Sequence, residues 1–367
     1  MSNMVKKETL KVGMLSMFPP EQDSIAQVYS SPLVNHAKDA HVRYITLGTQ
    51  RSDADYKLNF KSFFLASNVK RIIAKEQLDV LHIQYIAPHF GKRTFNLNVL
   101  PLLQLGIPTL TTLHEVHYPQ KGNIFANARR AILTRVEGSI VKNSTIANVH
   151  TPGQKNFLES RYHVSNAVNI VTGLWPKPFH RRHGKNILFF GLFSPGKGIE
   201  HLLHALPLLP DGKVRIAGSI PTPACRRYHA KIMAQLQKEK FPVEAVFRPW
   251  FSEKEKAEHF AWADVSVAPY IWCPYHSGAV QDAAEFGIPI VVTDVGAIWE
   301  MVAAFHFGEV VPTGSPEAIA QGIDKVFSNY EGYHEGLAAF RTFATWKHAA
   351  AKYGDAYREA VRRFRGS

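Results

Sequence analysis

Short apolar or β-branched runs recur along the chain, each followed by a longer stretch compatible with a helix. In the first half they are KVGMLSM, VRYITLG, LDVLHIQY, IPTLTTLH, STIANVH and NAVNIVTG. In the second they are NILFFGLF, KVRIAGS, VEAVFRP, ADVSVAP, IPIVVTDVG and GEVVPTG. Strands spaced by roughly 15 to 35 helix-compatible residues make βαβ units, hence parallel sheets covered on both faces. The fold class expected is α/β, with two doubly wound parallel-sheet domains facing across a cleft.

Between the halves, residues 173–184 (GLWPKPFHRRHG) are rich in Pro, Gly and charge and lack apolar periodicity, so they read as a linker. The domains expected are residues 1–175, residues 176–345 and a tail, 346–367. In the tail Tyr353, Tyr357, Val361 and Phe364 share a helical face that could cross back to the first domain. Ligands of open α/β sheets sit outside the carboxyl ends of the strands. That selects residues 16–20, 82–85, His114 and Glu115 in the first half, and residues 191–197, Gly218, 248–251 and 269–278 in the second.

Composition narrows the class. With 46% hydrophobic and 20% charged residues the chain is globular, not disordered or fibrous. Two cysteines, Cys225 and Cys273, can supply neither a disulfide framework nor a four-thiolate zinc site, and a reducing cytoplasmic setting is expected. The lysines near the start precede an apolar stretch of only about seven residues, too short for a secretory leader. No run of ~18 apolar residues could span a bilayer.

The net charge of +13 is uneven. Residues 1–183 hold 23 Lys+Arg against 11 Asp+Glu, and residues 184–367 hold 20 against 19. So basic a first half attracts polyanions: an anionic membrane surface, a phosphorylated substrate or nucleic acid.

Two segments carry candidate chemistry. In FFGLFSPGKGIEHLLHALPLLP a strand ends at Gly191, and after a turn with Gly196 and Gly198 a helix begins, with Ile199, Leu202, Leu203 and Leu206 on one face. Free backbone NH groups at such a helix start favour an anion, and Lys197, read as a mobile, exposed loop ammonium, would meet a diphosphate. A plain surface lysine is the other reading. In PYIWCPYHSGAVQDAAEFGIPIVVTDVG a strand leads through an aromatic loop to Ser277 and Gly278, which open a second helix. Asp282, one turn along, could accept hydrogen bonds from a ribose or sugar, or could be a solvated helix residue.

These segments, with VRIAGS, ADVSVAPY and EVVPTGSPEAIAQGI in this order and spacing, resemble the nucleotide-sugar half of retaining GT-B glycosyltransferases of the large fourth family. LDVLHIQY and IPTLTTLHEVHYP resemble its acceptor half more loosely. The resemblance implies two Rossmann-like domains, a nucleotide-diphospho-sugar donor and transfer with retained anomeric configuration. It implies Lys197 on the donor diphosphate, Ser277 and Gly278 on phosphate or sugar, Asp282 in place of a ribose-binding Glu, and His114 touching the transferred sugar. Gly191, Gly196, Gly198 and Gly218 would shape the donor site, with Arg248, Trp250 and Phe251 bordering the base and Glu300 as a further carboxylate. On the acceptor side Ser24, Ile25, Gln84 and Tyr85 are the candidates.

The departures are specific. The family's Glu eight residues before Asp282 is here Pro274, its usual arginine after the phosphate-turn glycine is Leu192, and Ser24 stands where a glycine is usual. Arg215 or Arg248 could then complete the clamp. No paired carboxylates suited to a double displacement stand out. The leaving phosphate would itself take the acceptor's proton, leaving the protein to position substrates and stabilise charge.

Two further signals stand beside these. Asp53 and Asp55 form a DxD in SDADYK, read as a solvated loop, so no metal and no cofactor is expected. In residues 129–142, Ile132, Leu133, Val136 and Ile140 lie on one face with Arg130, Arg135 and Lys142 flanking it, a pattern for lying on a membrane or for packing on the first sheet. The function expected is transfer of a sugar from a nucleotide sugar to a lipid-linked or glycan acceptor, cytoplasmic, peripheral on the inner face of the plasma membrane, in polysaccharide or glycolipid biosynthesis. A catalytically weak homologue serving as partner or scaffold, and a polyanion-binding protein, are the alternatives; nucleic acid is not expected.

Overall fold

The computed structural model describes residues 9–21, 25–91, 97–119, 124–178, 184–220 and 222–366, with backbone alone for 124–129. The chain divides into two compact units, Met1–Gly173 with Trp346–Ser367, and Leu174–Thr345.

The first unit is built on seven parallel strands: β1 (Leu10–Leu15), β2 (Val42–Thr49), β3 (Tyr56–Leu58), β4 (Val80–Tyr85), β5 (Thr109–Leu113), β6 (Ile146–Val149) and β7 (Ala167–Asn169), in the order β3-β2-β1-β4-β5-β6-β7. The second has six: β8 (Asn186–Leu192), β9 (Lys213–Ser219), β10 (Val243–Arg248), β11 (Val265–Ala268), β12 (Ile290–Thr293) and β13 (Gly308–Val311), in the order β10-β9-β8-β11-β12-β13. Every pairing within them is parallel. Both units are Rossmann-like, and the strand order reverses between β1 and β4 and between β8 and β11. A doubly wound sheet leaves its ligand crevice at that reversal.

Each apolar run lies in a strand, and β4, β5, β6, β11 and β12 are buried along their whole length. One strand departs from the expectation. β3 lies within the stretch read as a solvated loop, where Asp55 accepts from the Thr46 amide and hydroxyl, both at 2.8 Å, and ties the edge strand to β2.

The amphipathic segment 129–142 belongs to the helix Ile124–Asn143. Val136 and Ile140 are 3% and 0% exposed and join the core cluster with Leu81, Ile83 and Val99. The packing alternative describes the later half of this face, where Val136 and Ile140 enter the core, while Ile132 and Leu133 stay half-buried.

The tail forms the helix Trp346–Arg365. Tyr357 bonds Tyr44 at 3.1 Å and His82 Nδ1 at 2.7 Å, and Asn148 donates to the Tyr353 hydroxyl at 3.1 Å. The expected stripe is corrected at its far end: Phe364 is exposed, and the buried face runs through Trp346, Ala350, Tyr353, Tyr357 and Ala360. The stretch read as a linker begins pinned within the second unit, with Leu174 N donating to Ala344 O at 2.8 Å and Lys177 N to Glu285 O at 2.8 Å.

Candidate active site

In the second unit the loops leaving β8 and β11 flank the reversal point. Gly196 O accepts from the amides of Ile271, at 2.9 Å, and Trp272, at 3.3 Å. Gly198 adopts φ +63°, and a Cβ there would lie 1.9 Å from the Pro269 carbonyl oxygen. These contacts stitch two loops together with Lys197 between them. Its ammonium stands 3.7 Å from the centroid of the Tyr270 ring and 4.8 Å from that of Tyr275.

Lys197 is therefore only 5% exposed, which corrects the expectation of a mobile, exposed lysine. Burial weighs against its charge, yet the Tyr270 and Tyr275 hydroxyls and the Cys273 thiol outweigh burial, and its pKa stands above the ordinary lysine value. Burial in turn pushes the Cys273 thiol up to about 11 and the Tyr275 phenol up to about 12, so both are neutral around the cation at physiological pH. Two ring faces, rich in π electrons, hold the ammonium where a carboxylate would have neutralised it.

The helix Gly278–Glu285 starts beside this cage. Ser277 caps it, accepting from the Ala279 amide at 3.3 Å, and its hydroxyl donates to the Tyr270 hydroxyl at 3.3 Å. Gly278 is exposed, and a Cβ there would meet nothing within 4 Å. Asp282 is held by Lys256, Oδ1 to Nζ 3.2 Å, and Lys256 also reaches Glu253 at 3.1 Å. Burial raises the Asp282 carboxyl against the opposing pull of Lys256. Lys256 was not foreseen: only the sheet brings it beside Asp282.

The other second-unit candidates lie as follows. Gly191 and Gly218 face each other across β8 and β9. Glu300 opens the helix Glu300–Phe305 and is half-buried. Ahead of it Gly296, at φ +58°, presses on the Cys273 carbonyl, where a Cβ would come within 1.9 Å. Arg248 ends the edge strand β10, and Trp250 and Phe251 follow it, two strands from the reversal point. Arg248 is exposed and 3.7 Å from Glu255, Trp250 is half-buried, and Phe251 packs edge-on to Phe190 at 5.2 Å. Arg215 is not available as a clamp, since Glu244 pairs with it at 2.7 Å and its guanidinium lies 4.1 Å over Trp262. Pro274 is buried and Leu192 exposed.

In the first unit His114 follows β5 and is 4% exposed. Its Nε2 is 2.6 Å from the Gln84 side-chain amide, and its Nδ1 is 3.3 Å from Nε2 of His150, which follows β6. His150 was missed; its signal was the histidine ending STIANVH, in the neighbouring strand. Burial lowers the His150 pKa to about 4, so the ring is neutral at physiological pH. The Ile170 carbonyl, 3.1 Å from His150 Nδ1, can only accept, so the proton sits on that nitrogen. Nε2 of His150 is then an acceptor, and its contact with His114 requires the proton on His114 Nδ1. Gln84 is placed with Oε1 at His114 Nε2, so this proton arrangement requires the amide turned by a half-turn, with its NH2 donating to that nitrogen.

Ile25 and Tyr85 are 2% and 4% exposed. The Tyr85 ring lies 5.6 Å from Phe90 in the core cluster. Gln84 is spent on His114, and Ser24 lies outside the described residues.

Residues 184–329 match the family model described as glycosyl transferases group 1. An uncharacterized glycosyltransferase of Methanocaldococcus jannaschii is 25% identical over 301 residues, spanning 75% of this chain and 73% of that one. A phosphatidyl-myo-inositol mannosyltransferase of Mycobacterium tuberculosis is 25% identical over 278 residues, spanning 71% of this chain and 68% of its own. The Anabaena protein HepE, solved in complex with UDP-glucose, superposes with TM-score 0.71 at 11% identity, over 96% of this chain and 99% of that one.

Proposed function

We propose that this chain, a glycosyltransferase of the GT-B fold by its family match, its relatives and its architecture, moves a sugar from a nucleotide-diphospho-sugar to a lipid-linked or glycan acceptor with retained anomeric configuration. The observation that carries the donor reading is the Lys197 ammonium, caged by two tyrosine rings at the reversal point of the second sheet and paired with no carboxylate among the described residues. A cation held in this way is charged at all physiological pH values and keeps its charge for an anion brought from outside. Gly278, with open space where its side chain would be, lets such an anion approach the amino end of the helix Gly278–Glu285.

In the proposed reaction the bond from the anomeric carbon to the donor's phosphate oxygen breaks, and the acceptor hydroxyl attacks on the same face. Its proton passes to the leaving diphosphate, which departs as the nucleoside diphosphate. Lys197 and the helix start stabilise the charge that grows on that leaving group, so the reading asks for no metal. His114, oriented by His150, would meet the sugar, and Asp282 the ribose. The acceptor class draws support from the mannosyltransferase relative and from the basic first half. No helix among the described residues is long and apolar enough to cross a membrane, so the reading takes a peripheral setting at the cytoplasmic face.

Thermal shift with uridine, guanosine and adenosine diphosphates, followed by NMR of the product's anomeric signal, tests the proposal. An inverted product removes the retaining mechanism, and no shift with any of the three removes the donor site. A second reading, a scaffold homologue with little turnover, draws on Asp282 already engaged by Lys256 and on buried Pro274. Nucleotide binding without hydrolysis or transfer of any sugar would favour it.

A further inference from the structure

Three large apolar side chains of the first unit stand in solvent: Phe63 is 82% exposed, Phe64 74% and Leu97 53%. They belong to neighbouring segments, because Asn98, beside Leu97, donates its side-chain amide to the Phe60 carbonyl. Phe60 is buried and stacks at 5.7 Å on Phe90, rooting the turn in the core. The turn itself is built. Lys61 N donates to Asn59 Oδ1 at 3.0 Å, Phe64 N to Ser62 Oγ at 3.1 Å and Leu65 N to Ser62 O at 3.2 Å. Two phenyl rings are thus held in water by hydrogen-bonded backbone, an arrangement that works against stability unless something covers them.

The surrounding charge says what covers them. From Tyr56 to Lys75 the sequence carries Lys57, Lys61, Lys70, Arg71 and Lys75 and no carboxylate. All five are exposed. The helix Leu65–Glu76 buries Leu65, Val69, Ile72 and Ile73, which leaves Lys70 and Arg71 on its outer side. Exposed aromatic rings on a segment with five exposed cations and no carboxylate match the headgroup boundary of an anionic bilayer: the rings enter the acyl edge, and the cations stay with lipid phosphates.

We propose that the turn carrying Phe63 and Phe64, with Leu97 and the cations around it, docks on an anionic lipid bilayer. The assignment replaces the helix face of residues 129–142, where Val136 and Ile140 are already taken into the core. It rests on the reading that the acceptor is presented at a membrane, and it gives weak, reversible attachment with the first unit against the lipid.

The test is sedimentation of the full chain with phosphatidylcholine vesicles, with and without phosphatidylglycerol, run beside the nucleoside diphosphate thermal shift. Wild type should bind the acidic vesicles. Phe63→Ser with Phe64→Ser should reduce the bound fraction about tenfold or more, with an unchanged thermal shift, since neither ring packs in the core. Lys61→Gln with Lys70→Gln and Arg71→Gln should abolish the preference for acidic lipid. A Phe64→Cys variant carrying an environment-sensitive fluorophore should shift to the blue on acidic vesicles; Cys225 and Cys273 are buried and would not compete. Donor binding with no vesicle binding, or vesicle binding indifferent to the two phenylalanines, overturns the proposal alone. Loss of a lipid-free dimer on the serine substitutions would also overturn it, assigning the patch to a second copy of the chain. Vesicle binding without donor binding leaves it standing and removes the transfer reading instead.

Discussion

The ammonium of Lys197 rests 3.7 Å from the centre of the Tyr270 ring, and the Ser277 hydroxyl that caps the next helix donates to that tyrosine's own hydroxyl at 3.3 Å. One aromatic residue therefore positions both groups assigned to the donor's phosphates. On that assignment Lys197 serves the loops as well as the ligand.

Lys197→Ala is accordingly expected to lower both turnover and stability. Loss of a donor to charge that grows in the transition state costs ~2.7 to 4 kcal/mol, or ~100 to 1,000-fold in kcat, and loss of a buried cation–π contact costs ~2 kcal/mol of folding energy. Lys197→Met keeps most of the stem volume. It should recover part of the melting temperature and none of the rate. Full activity in either variant would remove Lys197 from the site.

Two glycines separate ligand from scaffold. Gly198→Ala puts a Cβ 1.9 Å from a carbonyl oxygen in left-handed backbone, so the melting temperature should fall sharply and nucleotide binding with it. Gly278→Ala meets no protein atom and gains helix propensity, so stability should hold or rise slightly. Donor affinity should nonetheless drop. A Gly278→Ala protein that binds nucleotide as wild type does would show that the open space is not the ligand's.

His150→Leu removes the acceptor that fixes the proton on His114 Nδ1, whereas His150→Gln keeps an oxygen at the same reach. The leucine variant should lose ~10-fold or more in kcat with little change in donor KM. The glutamine variant should restore much of that loss. A purely structural His150 would change melting temperature in both and leave the ratio of kcat to KM alone.

Acid should weaken the first unit in a defined window. Burial lowers His150 from the ordinary 6.5 to about 4 and His82 to about 3. Below ~6.5 the unfolded chain protonates both rings while the folded chain does not, so the unfolded state holds more protons and stability falls with pH. The melting temperature should decline from neutral pH toward about 4, more steeply than in a variant with both histidines replaced by Gln. A flat profile in wild type would contradict the buried, neutral rings.

Strands were legible because a parallel strand buried on both faces must be apolar along its length, as LDVLHIQY and IPIVVTDVG are. β3 was not, since three edge residues behind polar SDAD leave no period to read. The helix from Ile199 followed from its apolar spacing. What escaped depends on loops meeting across the sheet. Lys197 looks exposed in SPGKG because its burial comes from Tyr270 and Tyr275, more than seventy residues on. His150 acquires a role only when β6 lies beside β5, and Arg215 loses one when β10 brings Glu244 against it.

The loop that leaves β11 is wedged from both sides: Gly198 sits against its Pro269 carbonyl and Gly296 against its Cys273 carbonyl, each with no room for a methyl group. A side chain at either glycine would have to push this loop away from its neighbours. On the proposed reading, a change of donor is expected in the side chains of Trp272, Pro274 and Tyr275 before it is expected in the backbone between the two glycines. A library randomised at those three positions is therefore a better place to look for new donors than one that varies loop length.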